Sequence, residues 1–294
     1  MRNEVLRMDR GTRTVDGGDT LSGFNRNLFA GEVLGLLCVD NLGRKELIRL
    51  ITHNGPMEYG MVYFGGKLVN SYQHAPMTEN NVAVIDKHSR LVTDLTVSDN
   101  IFVLRRGFKK YFIQPNVLRG QLEYFTRELG ITIRADETVS QLTVFEKCAV
   151  ELLKAVVGGT KLVVAQDLSN ILSVADLRRF QQLLRYYTRQ GLSLLYICSH
   201  HEEAFSFCDR VAMMENGRML RVMEKGRFDE EVVWSYALDF SRIKSPQSPG
   251  AIQNAAVCFE AAHSANLAGR TFSVKAGECV LLVATNKAHF QRML

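Results

Sequence analysis

The sequence predicts an α/β fold, a largely parallel sheet wrapped by helices, and three observations carry that prediction. Residues 33–39 (VLGLLCV), 161–167 (KLVVAQD) and 192–199 (LSLLYICS) are short apolar runs rich in β-formers, the pattern of strands buried on both faces. Between the second and third runs, residues 174–190 (VADLRRFQQLLRYYTRQ) place apolar side chains at helical spacing, with Ser173 and Asp176 as a capping start and Gly191 as a stop. Strand, helix, strand in that order is a crossover unit. After it, RVAMMENGRMLRVME sets Asn216-Gly217 between two strand-like segments, the signature of a tight hairpin.

Composition bounds the class. The 294 residues, 46% hydrophobic and 23% charged, suffice for one sizeable core and a smaller unit, and they exclude a disordered chain. The six cysteines are scattered without a C-x-x-C pair or a zinc-spaced partner set, which predicts reduced, buried thiols rather than a metal site or a disulfide framework. The amino terminus lacks the apolar stretch of a signal peptide, and no run reaches the roughly 18–20 apolar residues that span a bilayer. A cytoplasmic protein without direct membrane insertion is therefore expected. The formal charge of +5 is dispersed except for short groups such as Arg105, Arg106, Lys109 and Lys110, so no nucleic-acid partner is expected.

From about 89 to 158 the chain reads as predominantly helical, with stretches ending at Gly130 and at Gly158-Gly159, an insertion into the α/β core. The polar stretch SRIKSPQSPG, 241–250, reads as a linker. Beyond it the start of the chain recurs. Aligning residues 21–37 with 267–283 matches Leu21 to Leu267, Gly23 to Gly269, Ala30-Gly31-Glu32 to Ala276-Gly277-Glu278, and Leu36 to Leu282. The expected organisation is one domain over 1–240, a linker over 241–250, and over 251–294 the opening of a second, similar domain.

Four segments in order, VAVIDKHSRLVTDLTVSDNIFV (82–103), QLTVFEKCAVELLKAV (141–156), KLVVAQDLSNILS (161–173) and YICSHHEEAFSFCDRVAMMENGRM (196–219), resemble the nucleotide-binding subunits of bacterial sugar ABC transporters of the ribose, galactose and xylose group. The segments correspond to the region after the Q-loop, the signature and its helix, Walker B with the D-loop, and the His-switch. The resemblance implies a P-loop NTPase cassette, a RecA-like mixed-sheet core with a helical subdomain at about 89–158, followed by the start of a second cassette. It also implies ATP as ligand, a membrane permease subunit as partner, a second cassette or another copy of the chain as dimer partner, and a place at the inner face of the plasma membrane.

The motifs themselves depart from the family. A working phosphate loop, G-x-x-x-x-G-K-[ST], holds phosphates on backbone N–H groups, neutralises them with its Lys and ligates magnesium through its hydroxyl. Here the stretch is Cys38-Val39-Asp40-Asn41-Leu42-Gly43-Arg44-Lys45, followed by Glu46. Gly43 is kept, Arg44 stands at the Lys position with its charge intact, Lys45 replaces the hydroxyl, and Asp40 is expected to face the nucleotide's own negative charge. The same stretch reads equally as a plain strand-to-helix turn.

By the resemblance Gln166 occupies the place of the magnesium-holding Asp, and Asp167 that of the Glu that polarises the attacking water. Lys87 stands at the Q-loop glutamine. In the signature, Leu142-Thr143-Val144-Phe145-Glu146 replaces L-S-G-G-Q; Thr143 keeps a hydroxyl, Phe145 reads best as core packing, and Glu146 brings a repelling charge. His200 matches the switch histidine, but a histidine after a buried strand reads more readily as structural. Val15 falls where an adenine-stacking aromatic is expected. In the second unit Lys287 and His289 read as surface residues.

These substitutions predict a cassette subunit with weak metal-free ATP binding, doubtful Mg²⁺, little or no hydrolysis and a regulatory or partner role. The alternatives are a functional sugar-import ATPase working through Asp167, His200 and Arg44, and a protein-binding module that docks a permease through residues 86–112.

Overall fold

A computed structural model describes residues 3–15, 20–102, 133–237, 255–259 and 272–275. The chain divides into two units, Met1–Glu230 and Glu231–Leu294. The division falls ten residues before the expected boundary at 240, and the expected linker, 241–250, lies outside the described residues.

The first unit holds two sheets. One is antiparallel, with order β2-β1-β4-β5, built from β1 (Glu4–Thr14), β2 (Thr20–Phe29), β4 (Tyr59–Phe64) and β5 (Lys67–Ser71). The other runs β10-β9-β3-β8-β7-β6, from β3 (Val33–Cys38), β6 (Val82–Ile85), β7 (Leu162–Gln166), β8 (Ser193–Cys198), β9 (Arg210–Glu215) and β10 (Arg218–Glu224). All its neighbours are parallel except the β9–β10 hairpin. β3 and β8 are buried at every position, which is why they read as continuous apolar runs without alternation.

The helices lock onto this sheet by one apolar stripe each. α1 (Arg44–Thr52) buries Leu47, Leu50 and Ile51, and α4 (Val174–Arg189) buries Phe180, Leu183, Leu184 and Tyr187, both at helical spacing. As expected from the sequence, Ser173 caps α4 by accepting the Asp176 N–H at 3.2 Å. α3 (Val144–Val157) is buried on most of its surface, with Ala149, Val150 and Leu152 fully enclosed. α2 (Val97–Phe102), α5 (His201–Phe207) and α6 (Glu230–Ala237) are short.

Within the expected helical insertion, α2 and α3 are the α-helices among the described residues, while 103–132, with Arg105, Arg106, Lys109 and Lys110, lies outside them. The segments 89–96 and 133–138 are non-helical, and Asn100 ties 92–96 into a turn by donating to the Val92 and Thr96 carbonyls. Among the described residues no helix is long and apolar enough to cross a membrane.

In the second unit β11 (Ala255–Phe259) and β12 (Phe272–Lys275) form an antiparallel pair, the same relation that β1 has to β2. Lys287 and His289 lie outside the described residues.

Candidate functional site

Parallel strands deliver their C-terminal ends to one edge of a sheet, and that edge is where open α/β folds bind ligands. Here β3 ends at Cys38 and leads to the phosphate-loop stretch, and β7 ends at Gln166. Between them β8 ends at Cys198 and leads to Ser199-His200, while β6 leads to Lys87. Four of the segments singled out in the sequence thus leave the same edge.

The phosphate-loop stretch enters α1 through Gly43, which adopts φ 73° and accepts the Leu47 N–H at 2.9 Å. A Cβ at Gly43 would stand 2.6 Å from the Gly217 Cα and 2.7 Å from the Thr20 carbonyl oxygen, so the loop is packed backbone to backbone on β2 and the β9–β10 turn. Asp40, expected to face the nucleotide's charge, is engaged by backbone donors. Its carboxylate accepts the Leu42 N–H at 2.9 Å and the Asn216 N–H at 2.8 Å, tying the loop to the hairpin. The reason is satisfaction of backbone donors by the nearest carboxylate, the usual work of Asp in such turns.

Arg44 begins α1 and reaches past the end of β8 to Asp167, with Nη1 2.8 Å from Oδ2. The two side chains are 17% and 19% exposed, so the pair is largely withdrawn from solvent. Asp167 follows β7 in the left-handed region, φ 49° and ψ 41°, unusual for a residue with a side chain. It is held there by its N–H on the Ile197 carbonyl at 2.9 Å, and the Gln166 amide donates to the same Oδ2 at 3.4 Å. Burial pushes the Cys38 thiol up to about 12, opposed by Arg44 and aided by Asp167 and Asp40. Cys38 is therefore a neutral thiol at physiological pH.

The remaining expected residues divide. Asn41, Leu42 and Lys45 are exposed, and Lys45 forms no ion pair with a described residue. Glu46 cannot line an open cofactor site as expected: it is 1% exposed, on the inner face of α1, and its Oε2 lies 2.6 Å from Arg13 Nε. Lys87 is exposed in the turn after β6. His200 is exposed at the N-cap of α5 without a side-chain cap, and its imidazole bonds to no described residue. His201 instead packs edge-on to Phe205 and lies 3.4 Å from the Glu202 carboxylate. Val15 is half-buried.

The signature segment is closed on itself. Thr143 is the N-cap of α3 in a full capping box: the Glu146 N–H donates to its hydroxyl, and the Glu146 carboxylate accepts the Thr143 N–H at 2.8 Å and its hydroxyl at 2.7 Å. The Thr143 hydroxyl expected to be available is thus engaged, and the Glu146 charge turns back on its own helix end. The spacing Thr143-x-x-Glu146 is itself the capping-box pattern, the local signal that the motif comparison passed over. Phe145 is buried, edge-on to Phe180 at 6.4 Å and beneath the Arg179 guanidinium.

A separate cleft of about 1070 Å³ runs beside β6, the edge strand of the sheet, lined in part by His53, Asn81, Arg90, Glu151, Lys154 and Thr160. None of residues 38–46 lines it. Glu151 accepts the Ser89 hydroxyl at 2.9 Å and the Arg90 N–H, and burial raises its carboxyl above the usual carboxylate range. Burial lowers the Lys154 amine.

No family model matches the chain. Curated relatives include the ribose import ATP-binding protein of Rubrobacter xylanophilus, 24% identical over 226 residues, covering 77% of this chain and 46% of that protein. Another is the arabinose import ATP-binding protein of Yersinia pestis, 24% identical over 195 residues, covering 66% of this chain and 37% of that one. The chain spans less than half the length of these relatives. Among solved structures, a nucleotide-free ATP-binding cassette from an ABC transporter superposes with a TM-score of 0.61 at 16% identity, covering 78% of this chain and 94% of that one. An ABC-transporter cassette in its ADP conformation gives 0.63 at 18%, covering 80% and 95%. The chain has the P-loop NTPase fold of an ABC cassette, and in sequence it resembles carbohydrate-import ATP-binding proteins.

Proposed function

We propose that this chain is a cassette subunit of a carbohydrate importer in which ATP hydrolysis is weak or absent and the role is regulatory or that of a partner to an active cassette. The observation that supports it most directly is the state of the oxygen ligands at the sheet edge. Gln166 and Lys45 offer a divalent ion no anionic oxygen, Asp40 is engaged by two backbone N–H groups, and Asp167 is ion-paired to Arg44. Phosphoryl transfer depends on positioning and on neutralising charge at the terminal phosphates, chiefly with magnesium. A site lacking the metal's oxygen set loses the largest part of that stabilisation.

The same reading places the chain in the cytoplasm against a membrane permease, with a second cassette or another copy as dimer partner. ATP is its ligand, held weakly and without Mg²⁺. The cleft beside β6 is a reasonable seat for a permease segment; of the expected docking segment, 86–112, residues 103–112 lie outside the described residues.

The test is ATP turnover by the purified chain with and without magnesium. Turnover far below about one per second is expected; a steady rate at or above that, the ordinary enzyme range, would contradict the reading. It would instead favour the competing one, a working ATPase using Arg44, Asp167 and His200. The exposed imidazole of His200 is the feature that speaks for that alternative, and the rate should then collapse in His200→Ala.

A further inference from the structure

We infer that the Arg44–Asp167 ion pair is an autoinhibitory contact, in which the chain's own carboxylate takes the place of an incoming phosphate and keeps the anion site closed; this rests on reading the chain as a cassette with impaired hydrolysis. Arg44 is the cation that follows the phosphate-loop turn, and the anion it holds, 2.8 Å away, belongs to the end of β7. Both side chains are more than four-fifths buried, so an entering anion cannot simply add to an exposed guanidinium. It must displace Asp167 and leave that carboxylate without its partner in a part-dry site, which is costly.

Two further contacts act in the same sense. Asp40 accepts the Leu42 N–H, one of the loop donors that would otherwise meet a phosphate, and anchors the loop to Asn216. Gly43 is pressed against the backbone of Gly217 and Thr20, so the loop has no slack in that direction with which to open. Asp167 thus holds the cation, and Asp40 one of the backbone donors, that an entering phosphate would use. The left-handed backbone at Asp167 fits this arrangement: a strained position is retained where the surroundings over-determine it, and here the Ile197 carbonyl and Arg44 do so.

The contact predicts a gain of binding on removing one charge. Asparagine keeps the shape of Asp167 and tolerates its backbone conformation, and glycine adopts that conformation without strain. The experiment measures binding of inorganic pyrophosphate, without metal, by calorimetry and thermal shift for the native chain, Asp167→Asn, Asp167→Gly, and Asp167→Asn combined with Arg44→Gln. The native chain is expected to bind weakly, Asp167→Asn and Asp167→Gly roughly tenfold tighter or more, and the double variant to lose the gain.

Equal affinity of the native chain and both single variants would overturn the inference, as would a gain that survives loss of Arg44. A native chain that is catalytically inert yet shows no gain in either variant sinks the latch alone. Steady magnesium-dependent ATP turnover by the native chain sinks the functional reading beneath it.

Discussion

Replacing Gly217 by alanine should loosen the seat of the phosphate-loop stretch, and the cost follows from the geometry. Gly217 and Asn216 form the β9–β10 turn with φ 68° and 49°, and a methyl on Gly217 would overlap the Thr20 carbonyl oxygen and stand 3.2 Å from the Leu21 Cα. These neighbours are backbone, so no side chain can rotate away. Left-handed backbone costs a non-glycine residue about 1–2 kcal/mol. Moving the turn off β2 also strains the Ser22 N–H bond to the Gly217 carbonyl, 2.9 Å long and worth about 1 kcal/mol, and the overpacking adds about 1–3 kcal/mol.

A loss of about 3–6 kcal/mol is expected, which for a domain of this size lowers Tm by roughly 6–24 °C. The control is Gly226→Ala: its φ is 86° but nothing lies within 4 Å of the added methyl, so only the backbone term of about 1–2 kcal/mol applies. Urea denaturation and scanning calorimetry of the two variants beside the parent measure the difference. Equal losses, within about 0.5 kcal/mol, would refute the close packing of the loop, β2 and the hairpin.

Three other outcomes are expected. Thr143→Ala should cost about 1 kcal/mol by removing the α3 cap, with Glu146→Gln costing less because an amide still serves the box, as read from denaturation midpoints. Cys38 and Cys148 have thiols pushed by burial from an ordinary 9.0 up to about 12, so at pH 8 both should resist iodoacetamide in the folded chain and react once it is unfolded. Because the folded pKa is the higher one, the stability these thiols contribute is whole below pH 9 and falls as pH rises through 12. Calorimetry should show an alkaline decline in that window that is shallower in Cys38→Ala with Cys148→Ala; an unchanged slope would refute it.

Much of the architecture was readable because its causes are local. The apolar runs at 33–39, 161–167 and 192–199 became β3, β7 and β8, the capped and periodic stretch after Ser173 became α4, and Asn216-Gly217 became the turn between β9 and β10. Each depends on hydrogen bonding and side-chain periodicity within a few residues, which a linear string records. The capping box at Thr143 and Glu146 was equally local and was obscured only by comparing the segment with a glycine-rich motif.

The electrostatic state of the sheet edge has a different origin. Arg44 and Asp167 are 123 positions apart, and Asp40 and Asn216 are 176 apart. Glu46, which follows the phosphate-loop stretch, is buried on α1 against Arg13. Sequence established which charged and polar residues the chain brings to that edge. Which carboxylate meets which cation or N–H was decided by folding, since ion pairs and hydrogen bonds form between groups the packed strands bring within about 3 Å, whatever their separation along the chain.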